Sequence, residues 1–317
     1  MANRDIYAKT FERIIAAMEQ GKTPWVRPWR STDRRGPNGA LPFNAATGRR
    51  YSGGNVWALY AEEALSGYTT SGWVTFKQAL SLGCVVRKGQ KSTPVFFMSR
   101  ITKRGKTEDG EDAVGSIFFA RGYNVFNVDQ LDETEEGALA KLRAKLSGGS
   151  AEAAPEGDAE TFDYLDAAEA AVLSTGAKIA HGGDRAFYVP SVDRIQMPPR
   201  EAFKHRDHYY ATLFHELSHW SGAEQRLNRL TPARFGSPDY AFEELVAELS
   251  AAFISARFGI EMVSQSAAYL NSWAAACRQH PDMFARAASL AQAAADFILK
   301  ETPAAEVTEA TAETLAA

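Results

Sequence analysis

Five residues, His215-Glu216-Leu217-Ser218-His219, constrain this chain more than any other stretch, because their chemistry depends on one backbone conformation. Residues 209–220 contain Leu213, Phe214 and Leu217 and neither glycine nor proline, which predicts an α-helix. On a helix, side chains four apart stand one above the other, so both imidazoles can share one metal ion. Glu216 directly follows the first histidine. From there its carboxylate reaches a metal-bound water and takes its proton instead of filling a coordination position. Gly222, three residues past His219, is expected to close the helix in a left-handed cap.

Two histidines do not complete a site. A second helical pattern opens at Phe242-Glu243-Glu244-Leu245-Val246-Ala247-Glu248, with Leu245, Leu249, Ala252 and Phe253 as its apolar stripe. Carboxylates at the edge of a buried helix are unusual unless paired or metal-bound. Glu244 and Glu248 lie four apart on one face, so one can bind the metal while the other accepts an imidazole N–H. The expected ligands are His215, His219 and Glu244, with Glu248 as the alternative third ligand and water in the fourth position. Glu243 reads as solvent-facing. Zinc (Zn2+) is the expected ion, and manganese (Mn2+) fits the same mixed donors. Upstream, residues 187–198 alternate enough for an edge strand, which their prolines suit. His181, His205, His208 and His280 read as isolated histidines satisfied at the surface or in the core.

Charge divides the chain. Residues 1–107 hold 18 Lys/Arg against 6 Asp/Glu, so the net formal charge of −4 hides a basic front and an acidic remainder. A basic unit draws polyanions by long-range attraction. Aromatic rings are interleaved with that charge at Trp25-Val26-Arg27-Pro28-Trp29-Arg30, at Arg49-Arg50-Tyr51, over 73–77, and at Arg87-Lys88 with Lys91. Rings beside cations form stacking platforms for single-stranded nucleic acid. Arg27, Arg50, Lys88 and Lys91 are therefore the expected phosphate contacts, and Trp29, Tyr51 and Trp73 the expected stackers. Trp57 and Phe96 are assigned to the core.

The 317 residues are about twice the usual single-domain length, and their texture indicates an α+β protein of two domains. A small α+β domain is expected over 1–130. It opens with a helix over 5–20 and a loop-rich stretch to about 51, continues with a helix over 56–65, and ends in short β runs at 84–86, 95–98, 116–119 and 123–128. Residues 131–160, rich in Ala, Glu, Gly and Ser, read as a linker, with a short helix over 136–146 as the alternative. A mostly helical domain with a small sheet follows over 161–300, and 301–317 reads as a disordered tail. No run approaches the roughly 20 apolar residues of a membrane helix, and residues 1–10 lack the apolar core of a signal peptide. The expected setting is the cytoplasm, with no membrane partner. Cys84 and Cys277, without CxxC spacing, exclude a disulfide scaffold.

Together these residues resemble the ArdC-type antirestriction family of conjugative plasmids and other mobile elements. The N-terminal likeness rests on residues 25–29, Tyr51-Ser52-Gly53-Gly54-Asn55, Trp73-Val74-Thr75-Phe76-Lys77-Gln78, and Gly83 with Val86-Arg87-Lys88-Gly89. The C-terminal likeness rests on Asp193-Arg194-Ile195-Gln196-Met197-Pro198 and on residues 215–222 and 243–248. The resemblance implies an N-terminal ssDNA-binding domain followed by a zincin-like metallopeptidase domain. It also implies a protein that shields incoming single-stranded DNA from host restriction. The N-terminal module resembles that of certain conjugative DNA primases as well. Two functional classes follow: a metallopeptidase guided by DNA to a protein substrate of the restriction or DNA-processing machinery, or a non-catalytic ssDNA-occluding protein whose metal site is structural or vestigial.

Overall fold

In α1 (Ala2–Glu19), Phe11, Ile14, Ile15 and Met18 recur at three- and four-residue spacing and are 0–3% exposed, the stripe that a core-facing helix requires. The computed structural model describes residues 2–25, 41–106, 112–147, 165–234, 236–260, 262, 267–280 and 282–301. After α1 come β1 (Phe43–Asn44), α2 (Gly54–Ser66), β2 (Gly72–Thr75), α3 (Phe76–Ser81), β3 (Cys84–Val86), β4 (Thr93–Lys106), β5 (Asp112–Asn127), β6 (Leu131–Glu133) and α4 (Ala138–Ser147). One sheet runs in the order β1-β2-β5-β4, and β3 pairs with β6 in a second. The β2 to α3 junction is written locally. Thr75 Oγ1 accepts from Gln78 N at 3.2 Å while the Gln78 side chain accepts from Thr75 N at 3.0 Å, a capping box that starts a helix where a strand stops.

Two expectations for this half are corrected. The runs 116–119 and 123–128 belong to one strand up to Asn127, because the ladder with β4 is unbroken from Thr93↔Val125 to Lys106↔Asp112. Residues 131–147 are not linker. β6 extends the pairing of β3, and α4 places Leu142 and Leu146, four apart, in a core with Phe43, Val74, Val128 and Leu131. The remainder of the expected linker, 148–160, and the tail beyond 301 lie outside the described residues.

The C-terminal half contains α5 (Asp166–Thr175), β7 (Lys178–His181), β8 (Phe187–Val189), β9 (Arg194–Met197), α6 (Arg206–Ser221), α7 (Pro238–Phe258), α8 (Ala267–Gln279) and α9 (Met283–Leu299). The single edge strand expected over 187–198 is a hairpin instead. A turn at Pro190–Val192 and Asp193 at φ 48° reverse the chain, so β9 is central in the order β7-β9-β8 and, of the two hairpin strands, β8 is the edge. Asp193 is pinned in that left-handed conformation by Tyr188 Oη at 2.8 Å and Arg226 Nη2 at 2.5 Å. No described helix is long and apolar enough to cross a membrane.

The two halves share one core. Phe11 of α1 lies 5.0 Å from Phe284 of α9 and 5.7 Å from Phe96 of β4, and Trp57 of α2 lies 4.5 Å from Phe253 of α7, measured between ring centroids. Arg278 of α8 clasps α1 through Glu12 at 2.8 Å and Glu19 at 2.9 Å. Gly54 lets α1 approach α2: a Cβ there would run into the fully buried Phe11 ring. A fragment ending near residue 130 would therefore expose the apolar faces of α1 and α2.

Candidate metal centre and nucleic-acid interface

α6 realises the spacing read from the sequence. His215 and His219 stand one turn apart with their Nε2 atoms 3.1 Å from each other. Glu244, from the first half of α7, approaches both: Oε2 is 3.5 Å from His215 Nε2 and Oε1 is 3.5 Å from His219 Nε2. One donor atom from each of these three residues falls within a 4.8 Å cluster. Two donors about 2.0–2.1 Å from a tetrahedral ion are roughly 3.3 Å apart, so the observed separations are those of ligands around a single cation. The start of α7 is fixed by Ser237, whose Oγ accepts from Tyr240 N at 3.2 Å, and by Pro238 in the first turn.

The far side of each imidazole is held by a different carboxylate. Glu248 Oε2 lies 3.5 Å from His215 Nδ1, and Glu243 Oε1 lies 3.1 Å from His219 Nδ1. A neutral imidazole that donates its Nδ1–H to the carboxylate behind it presents its Nε2 lone pair to the common centre. This separates Glu244 from Glu248: Glu244 meets the metal-facing nitrogens, and Glu248 orients His215 from behind. Glu243 does not face solvent as its position suggested. It accepts from Arg229 Nε at 2.9 Å and Nη2 at 2.8 Å in addition to its contact with His219. Arg229, in the loop after α6, left no sequence signal, because its partner Glu243 comes from α7.

Gly222 is also corrected. It ends α6 at φ −81°, an ordinary right-handed conformation, and is not a left-handed cap. Its lack of a side chain serves close approach, since a Cβ would lie 2.9 Å from Arg229 Nη2 and 3.0 Å from Leu230 Cγ. The glycine therefore lets Arg229 pass over the helix end to reach Glu243.

Electrostatics match a site built for a cation. Burial opposes charging His215, but Glu244 and Glu248 at its two nitrogens outweigh it and raise its pKa well above the ordinary imidazole value. Burial pushes the Glu243 and Glu244 carboxyls up, yet both are held below the usual carboxylate range, Glu243 by His219 and Arg229 and Glu244 by the two histidines. Glu216, 7% exposed, adds its negative charge beside His215 without joining the three-residue cluster. Among the described residues none of the other histidines joins it, and His181 Nε2 instead meets Tyr209 Oη at 2.9 Å.

The expected nucleic-acid residues scatter. Arg27 and Trp29 lie outside the described residues. Trp73 is not a platform. It is 0% exposed, and its Nε1 donates to Glu63 Oε1 at 3.0 Å, because the side chain of this β2 residue turns inward against α2. Trp73→Phe, which removes that donor from a carboxyl only 2% exposed, is expected to lower stability by about 1–3 kcal/mol in denaturant unfolding of the whole chain. Tyr51 is likewise buried, at 7% exposure. It nevertheless lines an open hollow with Asn44, Arg49, Arg50, Phe97 and Tyr123. Arg50 lies 3.8 Å from the Glu301 carboxylate. Lys88 and Lys91 are exposed on the turn between β3 and β4 and do not line the hollow. Sequence reading missed Phe97 and Tyr123, half-buried rings in edge-to-face contact at 5.3 Å, with the Arg121 guanidinium 5.5 Å from the Tyr123 ring. Both rings lie in the β runs read from the sequence, but which sheet face stays open is not a local property.

An HExxH helix, a glutamate from the next long helix within reach of both imidazoles and a small sheet with an antiparallel edge strand define a zincin-like metallopeptidase domain with a divalent-metal site. Residues 166–290 match the family described as zincin-like metallopeptidase, and residues 4–126 match the N-terminal domain of the anti-restriction factor ArdC. The chain belongs to the ArdC antirestriction family. The metal-free crystal structure of antirestriction protein ArdC from the R388 plasmid is similar at 36% identity and a TM-score of 0.70, covering 94% of this chain and 97% of that one. Its Mn(II)-bound form is similar at 32% identity and a TM-score of 0.69, covering 93% of this chain and 97% of that one. A protein of Sinorhizobium fredii, y4eC, is 35% identical, covering 93% of this chain and 91% of its own. DNA primase TraC of Escherichia coli is 36% identical over 306 residues, 91% of this chain but only 19% of that protein. The likeness to primases thus extends well past the N-terminal module, and this chain spans about a fifth of TraC's length.

Proposed function

We propose that this protein is a cytoplasmic antirestriction factor that binds single-stranded DNA through its basic N-terminal half and cuts a protein at its metal centre. The observation that carries the peptidase reading is the division of labour among four glutamates. Glu244 is a ligand, Glu243 and Glu248 orient the histidines, and Glu216 is left out of all three tasks while sitting beside His215. A structural site needs no such spare carboxylate. A divalent ion held by His215, His219 and Glu244 supplies Lewis acidity toward water and a peptide carbonyl, with zinc expected and manganese admitted by the same donors. Glu216 accepts the proton of the attacking water and passes it to the leaving amine. The exposed edge of β8, with Phe187 44% exposed, offers backbone pairing to an extended protein segment.

The DNA-binding reading is supported by the basic balance of the first 107 residues and by the hollow that joins Arg49 and Arg50 to half-buried Phe97 and Tyr123. Binding releases counterions, so affinity should fall linearly on a log–log salt plot. Each lost phosphate contact lowers the slope by about 0.7 for a single strand, and Lys88→Ala/Lys91→Ala together should lower it by about 1.4. Fluorescence anisotropy of a labelled oligonucleotide across a salt series measures this; an unchanged slope removes both lysines from the interface.

The experiment that tests the whole reading is an in-cell antirestriction assay of Glu216→Gln beside Lys88→Ala/Lys91→Ala. Loss of protection in the first variant, with ssDNA binding intact, requires proteolysis. Full protection there, with loss in the second, makes occlusion of the strand sufficient and leaves the metal site structural.

A further inference from the structure

The two imidazoles of the metal centre are oriented by matching devices of different origin. His219 leans on Glu243, and Glu243 is locked by Arg229, so that arm lies wholly within the C-terminal half. His215 leans on Glu248, whose second oxygen, Oε1, accepts from Trp25 Nε1 at 3.1 Å, 223 residues away in sequence. Glu248 is 2% exposed and Trp25 6%, so the contact is shielded from bulk water. A buried carboxylate is tolerated only when its oxygens are satisfied, and a fixed one defines the ring it touches. The Trp25 ring is itself wedged between Trp273, at 5.8 Å, and Phe284, at 6.4 Å between centroids, which fixes the direction of its N–H.

From this geometry we infer that Trp25 is a positioning residue of the metal centre, contributed by the N-terminal half and acting through Glu248 on His215. The inference rests on the metal-site reading above and adds that the peptidase half holds an incompletely oriented site without the N-terminal half. Metal affinity is then a property of the whole chain, and any shift of Trp25 is felt at His215.

The test is metal affinity of the full-length protein for Mn(II) and Zn(II), measured by chelator competition, in a double-mutant cycle. Losing an outer-shell partner costs about 10–100-fold in metal affinity, which is the expectation for Glu248→Gln, and Trp25→Phe should cost roughly 10-fold. Combined, they should cost no more than Glu248→Gln alone, because Trp25 acts through that residue. Phe96→Leu, which loosens the shared core at Phe11 without touching the rings that wedge Trp25, should leave affinity within about 2-fold of the parent. Trp25→His, which keeps a ring N–H, provides a second route if Trp25→Phe does not fold, and should bind more tightly than Trp25→Leu. Parental affinity in Trp25→Phe, additive losses in the double variant, or an equal loss in Phe96→Leu each overturn the inference. A parent that binds neither ion instead removes the metal-centre reading on which it stands.

Discussion

His215→Ala is expected to strip the protein of its divalent ion. It removes one of three convergent donors, and it leaves Glu244 Oε2 and Glu248 Oε2 without the imidazole that each now faces at 3.5 Å. Losing an outer-shell partner costs up to about 100-fold in affinity, so losing a ligand should exceed that. The ion of the parent should fall to background by elemental analysis of purified protein. Thermal stabilisation by added metal should also disappear; in the parent it amounts to about 2.7 kcal/mol at 100 times Kd. Glu244→Ala should behave in the same way, whereas Glu248→Gln should keep a weakened site. Full metal content in His215→Ala would contradict the ligand set, and equal loss in the two glutamate variants would erase the distinction drawn between ligand and orienter.

Glu216→Gln should do the opposite, keeping the metal and losing the chemistry. The amide is nearly isosteric with the carboxyl, so packing at this buried position is preserved while the proton acceptor is gone. General-base removal costs about 10²–10⁴ in rate. Peptide cleavage by the variant should fall by that factor with its metal affinity and ssDNA binding within about 2-fold of the parent. Residual cleavage at the parental rate would show that another group takes the proton and that Glu216 is only a buried side chain beside His215.

The candidate metal centre and the candidate nucleic-acid surface were not equally legible in the sequence. The i, i+4 histidines and the neighbouring glutamate are local, and helix periodicity turns their spacing directly into geometry. The third ligand was narrowed to Glu244 or Glu248 because both sit on one predicted helix face; only the crossing of α6 and α7 shows that Glu244 meets the Nε2 side and Glu248 the Nδ1 side. Charge interleaved with rings suggested a polyanion surface from composition alone, and composition could not say which rings point outward. Trp73 and Tyr51 went to the core because a large ring beside an apolar sheet face gains more by burial than by exposure, and a buried Glu63 supplies the indole N–H with its partner.

By itself the sequence determined the α+β class, the helices of the HExxH and glutamate motifs, the donor types of the site and the basic front of the chain, because each follows from spacing within a few residues or from summed charge. Tertiary structure alone decided that α4 docks on the N-terminal sheet, that Gly222 yields room to Arg229, that Glu243 orients His219, and that Trp25 reaches Glu248 across the shared core. Each of these is a contact between side chains far apart in the chain, set by how helices and sheets pack rather than by any local period.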